Sequence, residues 1–275
     1  MVPDKFAIRT AVTILVGPLI LFLSWLGGYY FLAFVCIICL LGMYEFYRLS
    51  ARKGAAAAIY LGLLAGVAVC LCFFYQRPDL LWLVLVGTTI LCLLGELFRD
   101  VEAPILNVSA TMMGLLYVAI PFAFLIALRQ FPAHAPLQSR GGSLVMMVFL
   151  CIWVCDSAAY IFGSRWGRHK LFPRVSPNKT VEGTFAGFLF SLLTAYASYL
   201  TFLLDFELRD ALVVGAICGS FGQLSDLIES LFKRDAGVKD ASNLIPGHGG
   251  VLDRFDSEIL AVPLVYLYLR YVVGG

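Results

Sequence analysis

Residues 10–46 read TAVTILVGPLILFLSWLGGYYFLAFVCIICLLGMYEF. Two apolar runs, 10–26 and 29–46, flank Gly27 and Gly28, and nothing between them could form a solvated loop. A bilayer core takes roughly 20 apolar residues as a helix. Each run is close to that length, and the glycine pair makes the two a tight hairpin. Lys5 and Arg9 precede the first run, as in a secretory signal. No small-x-small cleavage site follows, and a second apolar run begins at once. The first run is therefore read as a retained span.

The rest of the chain repeats this pattern, with further apolar runs at 55–75, 79–97, 104–128, 143–163, 183–204, 211–232 and 257–274. Of 275 residues, 61% are hydrophobic and 14% charged, and the mean hydropathy is +0.88. A soluble domain of this size could not bury so much apolar surface. The expected fold is all-α: a polytopic transmembrane helical protein of about nine spans, one membrane domain over residues 1–275. Glu96 and the polar stretch 99–103 blur the boundary between the fourth and fifth spans. The eight cysteines all lie in apolar runs. The Cys36/Cys39 pair has no second pair nearby and is read as packing.

Charge placement sets the orientation. With the N-terminus cytoplasmic, fifteen of the 20 lysines and arginines fall on one side. Arg77, Arg129, Arg140, Arg209 and Arg270 fall on the other. The polar segments 164–182 and 233–256 then share the cytoplasmic face. Residues 1–140 carry few polar groups within spans and read as scaffold. Residues 141–275 place Asp156, Glu182, Asp226 and Glu229 in or at the ends of spans and read as the chemical half.

The segment from Ser230 to Asp256, SLFKRDAGVKDASNLIPGHGGVLDRFD, concentrates charge of both signs beside lipid-like sequence. Such density suits a polyanionic ligand or a metal ion. Upstream, Gln223, Asp226, Ser230 and Lys233 recur at helical spacing and share one face. An ionised Asp226 within hydrocarbon costs at least about 3 kcal/mol without a partner. A salt bridge to Lys233 or Arg234, a metal ion, or a water-filled cavity could each provide one. Pro246-Gly247-His248-Gly249-Gly250 cannot be a regular helix or strand, and its glycines let backbone N–H groups crowd phosphate oxygens. Asp253 and Asp256 could supply oxygens to a hard cation. His248 is read either as a structural loop residue or as a contact to substrate. In 164–182, Ser176-Pro177-Asn178-Lys179-Thr180 offers hydroxyls, an amide and a lysine suited to a phosphate or a ribose. Asp156, Tyr160 and Ser164 line one helical face toward it. Gly183 and Gly187, and Gly215, Gly219 and Gly222, offer small-residue seams for close helix approach. Walker A, GxGxxG, HExxH and GxSxG patterns are all missing.

Taken together, Ser230-x-x-Lys233-Arg234, Lys239-Asp240 and Pro246-x-His248-Gly249-Gly250-x-x-Asp253-Arg254-x-Asp256 resemble the signature of the phosphatidate cytidylyltransferases, or CDP-diacylglycerol synthases. Asp156 to Tyr160, Gly163, Gly167, Ser176 to Gly183 and Asp226 to Ser230 extend the likeness, which covers roughly residues 140–260. The resemblance implies that CTP and phosphatidic acid give CDP-diacylglycerol and pyrophosphate. It implies Mg²⁺ dependence, with K⁺ as a candidate second ion, and a homodimer among membrane lipids in the bacterial inner membrane, without nucleic acid. The metal centre falls by motif on Asp226 and Asp253, with Asp256 as a further candidate. Lys233, Arg234, Lys239 and Arg254 would neutralise phosphates, and Asp240 and His248 complete the catalytic set. Ser176, Asn178, Lys179, Thr180, Glu182, Ser230, Gly249 and Gly250 form the expected substrate-binding set. Two other readings are a CTP-dependent lipid kinase and an ion-coupled transporter using Asp156 and Asp226.

Overall fold

A computed structural model describes residues 5–131, 139–204, 206–242 and 249–273, with side chains from residue 15 in the first helix and from 141 in the sixth. The helices are α1 (Lys5–Leu26), α2 (Gly28–Ala51), α3 (Ile59–Phe74), α4 (Pro78–Phe98), α5 (Pro104–Arg129) and α6 (Ser139–Trp166). After a hairpin come α7 (Val181–Thr201), α8 (Leu208–Asp235), the short α9 (Leu252–Phe255) and α10 (Glu258–Tyr268). Single π-helical turns interrupt α5 at Leu115–Ala119 and α8 at Cys218–Gly222, and another follows α10 at Leu269–Val273.

The all-α polytopic fold is thus observed. Among the described residues, α2, α4, α5, α6, α7 and α8 are long and apolar enough to cross a membrane. The Leu15–Leu26 part of α1 and α3 are apolar but shorter. At 16 residues, α3 spans about 24 Å against a hydrocarbon core of about 30 Å. Among the described residues, six helices therefore have the length and composition of a crossing, and nine spans would need the shorter helices as well. Gly27 and Gly28 make the tight α1–α2 turn, with φ of 68° and 55° that only glycine adopts freely. Segment 164–182, read from the sequence as a loop, instead contains an antiparallel pair, β1 (Lys170–Phe172) and β2 (Ser176–Thr180). Pro173, in the turn, and Pro177, in β2, lack the N–H that a helix interior needs, which disfavours helix there.

The chain divides into two compact units. The first comprises Met1–Ala127 and Phe232–Phe255; the second comprises Leu128–Leu231 and Asp256–Gly275. In the first, α2 is the central helix and buries Phe31, Val35, Cys39, Met43 and Tyr47 at successive turns. Gly62 and Gly66 of α3 let it lie against them, because a β-carbon at either would strike Tyr47 or Met43. The Tyr47 hydroxyl donates to the Thr111 carbonyl at 3.1 Å. Buried Asn107 accepts from the Ala56 amide and donates to Glu96 and to the Glu102 carbonyl, tying two connections to α5.

In the second unit, α6, α7 and α8 meet along glycine. A β-carbon at Gly183 or Gly187 would meet the carbonyls of Ala159 and Cys155 at 2.6 and 2.9 Å. One at Gly215 or Gly219 would meet the β-carbons of Ala195 and Ser191 at 2.6 and 2.9 Å. Gly222 has ordinary clearance, 3.7 Å to Ser257. The seam expected from the sequence is therefore real at the first four positions and loose at Gly222. Gly215→Val should destabilise the protein by about 1–3 kcal/mol through overpacking. Gly222→Ala should be tolerated, and thermal unfolding in detergent compares the two.

Candidate active site

In the first unit, the last turn of α8 presents Lys233 to the turn before α9. The Lys233 ammonium donates to Asp253 Oδ1 at 2.6 Å, and the two side chains are only 10% and 5% exposed. Asp253 Oδ2 accepts the Ala241 amide at 2.9 Å and the Gly250 amide at 2.7 Å. Asp253 thus joins the limb before the polar segment to the limb after it. Gly249 adopts φ 83°, and a β-carbon there would lie 2.7 Å from Asp253 Oδ2. Both the conformation and the space require glycine.

A residue absent from the sequence reading closes this arrangement from the other side. Glu45 of α2 is 2% exposed. Its Oε1 accepts from Ser242 Oγ at 2.6 Å and the Val251 amide at 3.0 Å, and its Oε2 accepts from the Leu252 amide at 2.7 Å. The signal was present: Glu45 is the lone charged side chain in residues 10–46. Arg234, Lys239, Asp240 and Arg254 lie exposed in this unit. Pro246 and His248 lie outside the described residues.

In the second unit, Lys179 of β2 approaches Asp226 Oδ2 of α8 to 2.7 Å. That is ion-pair distance, although the angle is poor for a hydrogen bond. The sequence offered Lys233 or Arg234 as the salt-bridge partner; the cation found beside Asp226 is Lys179. Ser230 Oγ donates to Asp226 Oδ1 at 3.3 Å, one helical turn along α8. Two expected substrate-binding residues are engaged in holding shape. The buried Thr180 hydroxyl accepts the Gly183 amide at 3.2 Å as the N-cap of α7. The Glu182 carboxylate accepts the Arg168 and His169 amides at 3.1 and 3.2 Å, with His169 Nδ1 at 2.6 Å. Ser176 is half-buried and Asn178 exposed on β2. Asp256 Oδ1 accepts the Ser257 amide at 2.7 Å, while its backbone carbonyl accepts from Ser225 Oγ. Glu182→Ala should free the hairpin without unfolding the helices. Faster tryptic cleavage after Arg168 and Lys170, with unchanged helical circular dichroism, would be the sign.

Residues 7–272 match the Cytidylyltransferase family. The chain belongs to this family. It is similar to the phosphatidate cytidylyltransferase of Staphylococcus aureus strain COL, with 32% identity over 272 residues, 95% of this chain and 98% of that protein. The phosphatidate cytidylyltransferases of Staphylococcus epidermidis strain RP62A and Staphylococcus saprophyticus are each 40% identical over 164 residues, 60% of either chain. As a member of the cytidylyltransferase family this is a nucleotidyltransferase enzyme, built on several apolar helices as a multi-pass membrane protein.

The likeness to this family implies a hard cation, and the donors present bear on whether one would fit. Among the described residues, no group of three or more His, Cys, Asp or Glu side chains assembles. Mg²⁺ does not need such a cage, since it is held by one or two carboxylates and completes its shell with water and substrate phosphate oxygens. Asp226 fits: its carboxylate is 28% exposed, and among the described residues Oδ1 has the long contact to Ser230. Asp253 is more fully engaged, with three donors on its two oxygens and almost no exposure.

Proposed function

We propose that this protein transfers CMP from CTP to phosphatidic acid, giving CDP-diacylglycerol and pyrophosphate. What carries the reading is the family match over residues 7–272, joined to the engagement of the signature residues Lys233, Gly249, Gly250 and Asp253 in one buried turn. Both substrates are polyanions, so the reaction must bring mutually repelling phosphates together. The lipid phosphate is already ionised near neutral pH and needs no strong protein base. One of its oxygens attacks the α-phosphorus of CTP, and the bond to the β-phosphate breaks.

The residues divide accordingly. Arg234, Lys239 and Arg254 are exposed cations, and their charge would favour phosphate oxygens nearby. Lys179, Ser176 and Asn178 of β2 suit the nucleotide or lipid phosphate. Asp226 with Ser230 would hold Mg²⁺, which supplies charge neutralisation at the transferring phosphoryl group; K⁺ is the candidate second ion. The diacyl chains would lie between helices. The charge asymmetry supports a site on the cytoplasmic face of a bacterial inner membrane, and the working form would be a homodimer.

Purified protein incubated with cytidine-labelled CTP, phosphatidic acid and Mg²⁺ should yield labelled lipid and an equal amount of pyrophosphate. Release of CDP with a newly phosphorylated lipid would establish a kinase instead. Substrate flux in proteoliposomes without CTP turnover would establish a transporter.

A further inference from the structure

We infer that Glu45 is a positioning residue of this site: from α2 it anchors the glycine turn that carries Asp253. The inference rests on the cytidylyltransferase reading. A carboxylate 2% exposed in an apolar helix would be costly to leave unpaired. Its partners explain its presence. Ser242 belongs to the limb before the polar segment, and Val251 and Leu252 belong to the limb after it. Asp253 joins the same two limbs through Ala241 and Gly250. Two carboxylates, Glu45 and Asp253, therefore tie residues 241–242 to residues 250–252.

Glu45 also reassigns Gly250. The sequence read this glycine as an opening for substrate phosphate. A β-carbon there would lie 2.5 Å from Glu45 Oε2 and 2.6 Å from Oε1, and the amide is taken by Asp253. Gly250 is small because Glu45 stands against it. All three partners of Glu45 donate, so a carboxylate fits where an amide would turn an NH₂ group toward an N–H or O–H.

Displacement of a catalytic group by about 1 Å can lower turnover about 100-fold. Glu45→Gln and Glu45→Ala should show a loss of that order in kcat, with little change in KM for CTP. Hydrogen exchange should show the Val251 and Leu252 amides losing protection in both variants, while amides of α3 keep theirs. Gly250→Ala should be severely impaired, and adding Glu45→Asp, which withdraws the carboxylate by one methylene, should restore part of the activity. A Glu45→Gln protein with kcat within about twofold of wild type would overturn the inference. So would unchanged protection at Val251 and Leu252. If the wild-type protein makes no cytidine-labelled lipid, the cytidylyltransferase reading fails, and the exchange result still decides whether Glu45 anchors the turn.

Discussion

Asp226→Asn should give a folded protein that forms no CDP-diacylglycerol above about one part in a thousand of wild type, a loss near 4 kcal/mol at the transition state. Asparagine keeps the shape and removes the charge, so packing on α8 should survive. The ion pair with Lys179 is lost, and although the Lys179 Nζ atom is itself buried, the two side chains are about a quarter exposed, 25% and 28%. Solvent screening keeps such a pair's contribution to stability near 1 kcal/mol or less. Activity and stability should therefore separate: labelled-lipid formation collapses while the unfolding temperature in detergent barely moves. Raising Mg²⁺ should not restore turnover, because the missing group is the oxygen donor itself. Full activity in this variant would remove Asp226 from the reacting phosphates.

Lys233→Met should behave in the opposite way, losing stability and activity together. Lys233 and Asp253 are almost fully buried, and removing one member of such a pair strands the other charge, typically at about 3–5 kcal/mol. Asp253 would keep the Ala241 and Gly250 amides, which soften the loss without replacing the ammonium. The double variant Lys233→Met, Asp253→Leu should be more stable than Lys233→Met alone, since no buried charge is left unpaired. Chemical denaturation of the two variants in the same detergent makes the comparison. A single variant as stable as wild type would mean that the pair is solvated rather than buried.

The seams formed by Gly183, Gly187, Gly215 and Gly219 could be read from spacing, because four-residue periodicity is a local property that survives folding. Lys233, Gly249 and Asp253 could be grouped by their density in one segment. Thr180 and Glu182 were harder. A hydroxyl such as that of Thr180 suits a phosphate site, and Glu182 is grouped with it, but in place they cap α7 and hold the hairpin. A hydroxyl or carboxylate at a helix start serves its own backbone amides as readily as a ligand. The hairpin itself was hidden because three- and five-residue strands give too short an alternation to register.

From the sequence alone came the helical membrane architecture, the concentration of charge in two segments, and the family. All three depend on composition and on short-range order along the chain. Which cation stands beside Asp226, and why Gly250 has no side chain, were decided only by the tertiary structure. Lys179 reaches Asp226 from a strand in another segment, and Glu45 meets Ser242 across 197 residues of chain. Partners so far apart in sequence are chosen by how helices pack and where low exposure makes an unpaired charge untenable, and no local pattern records that choice.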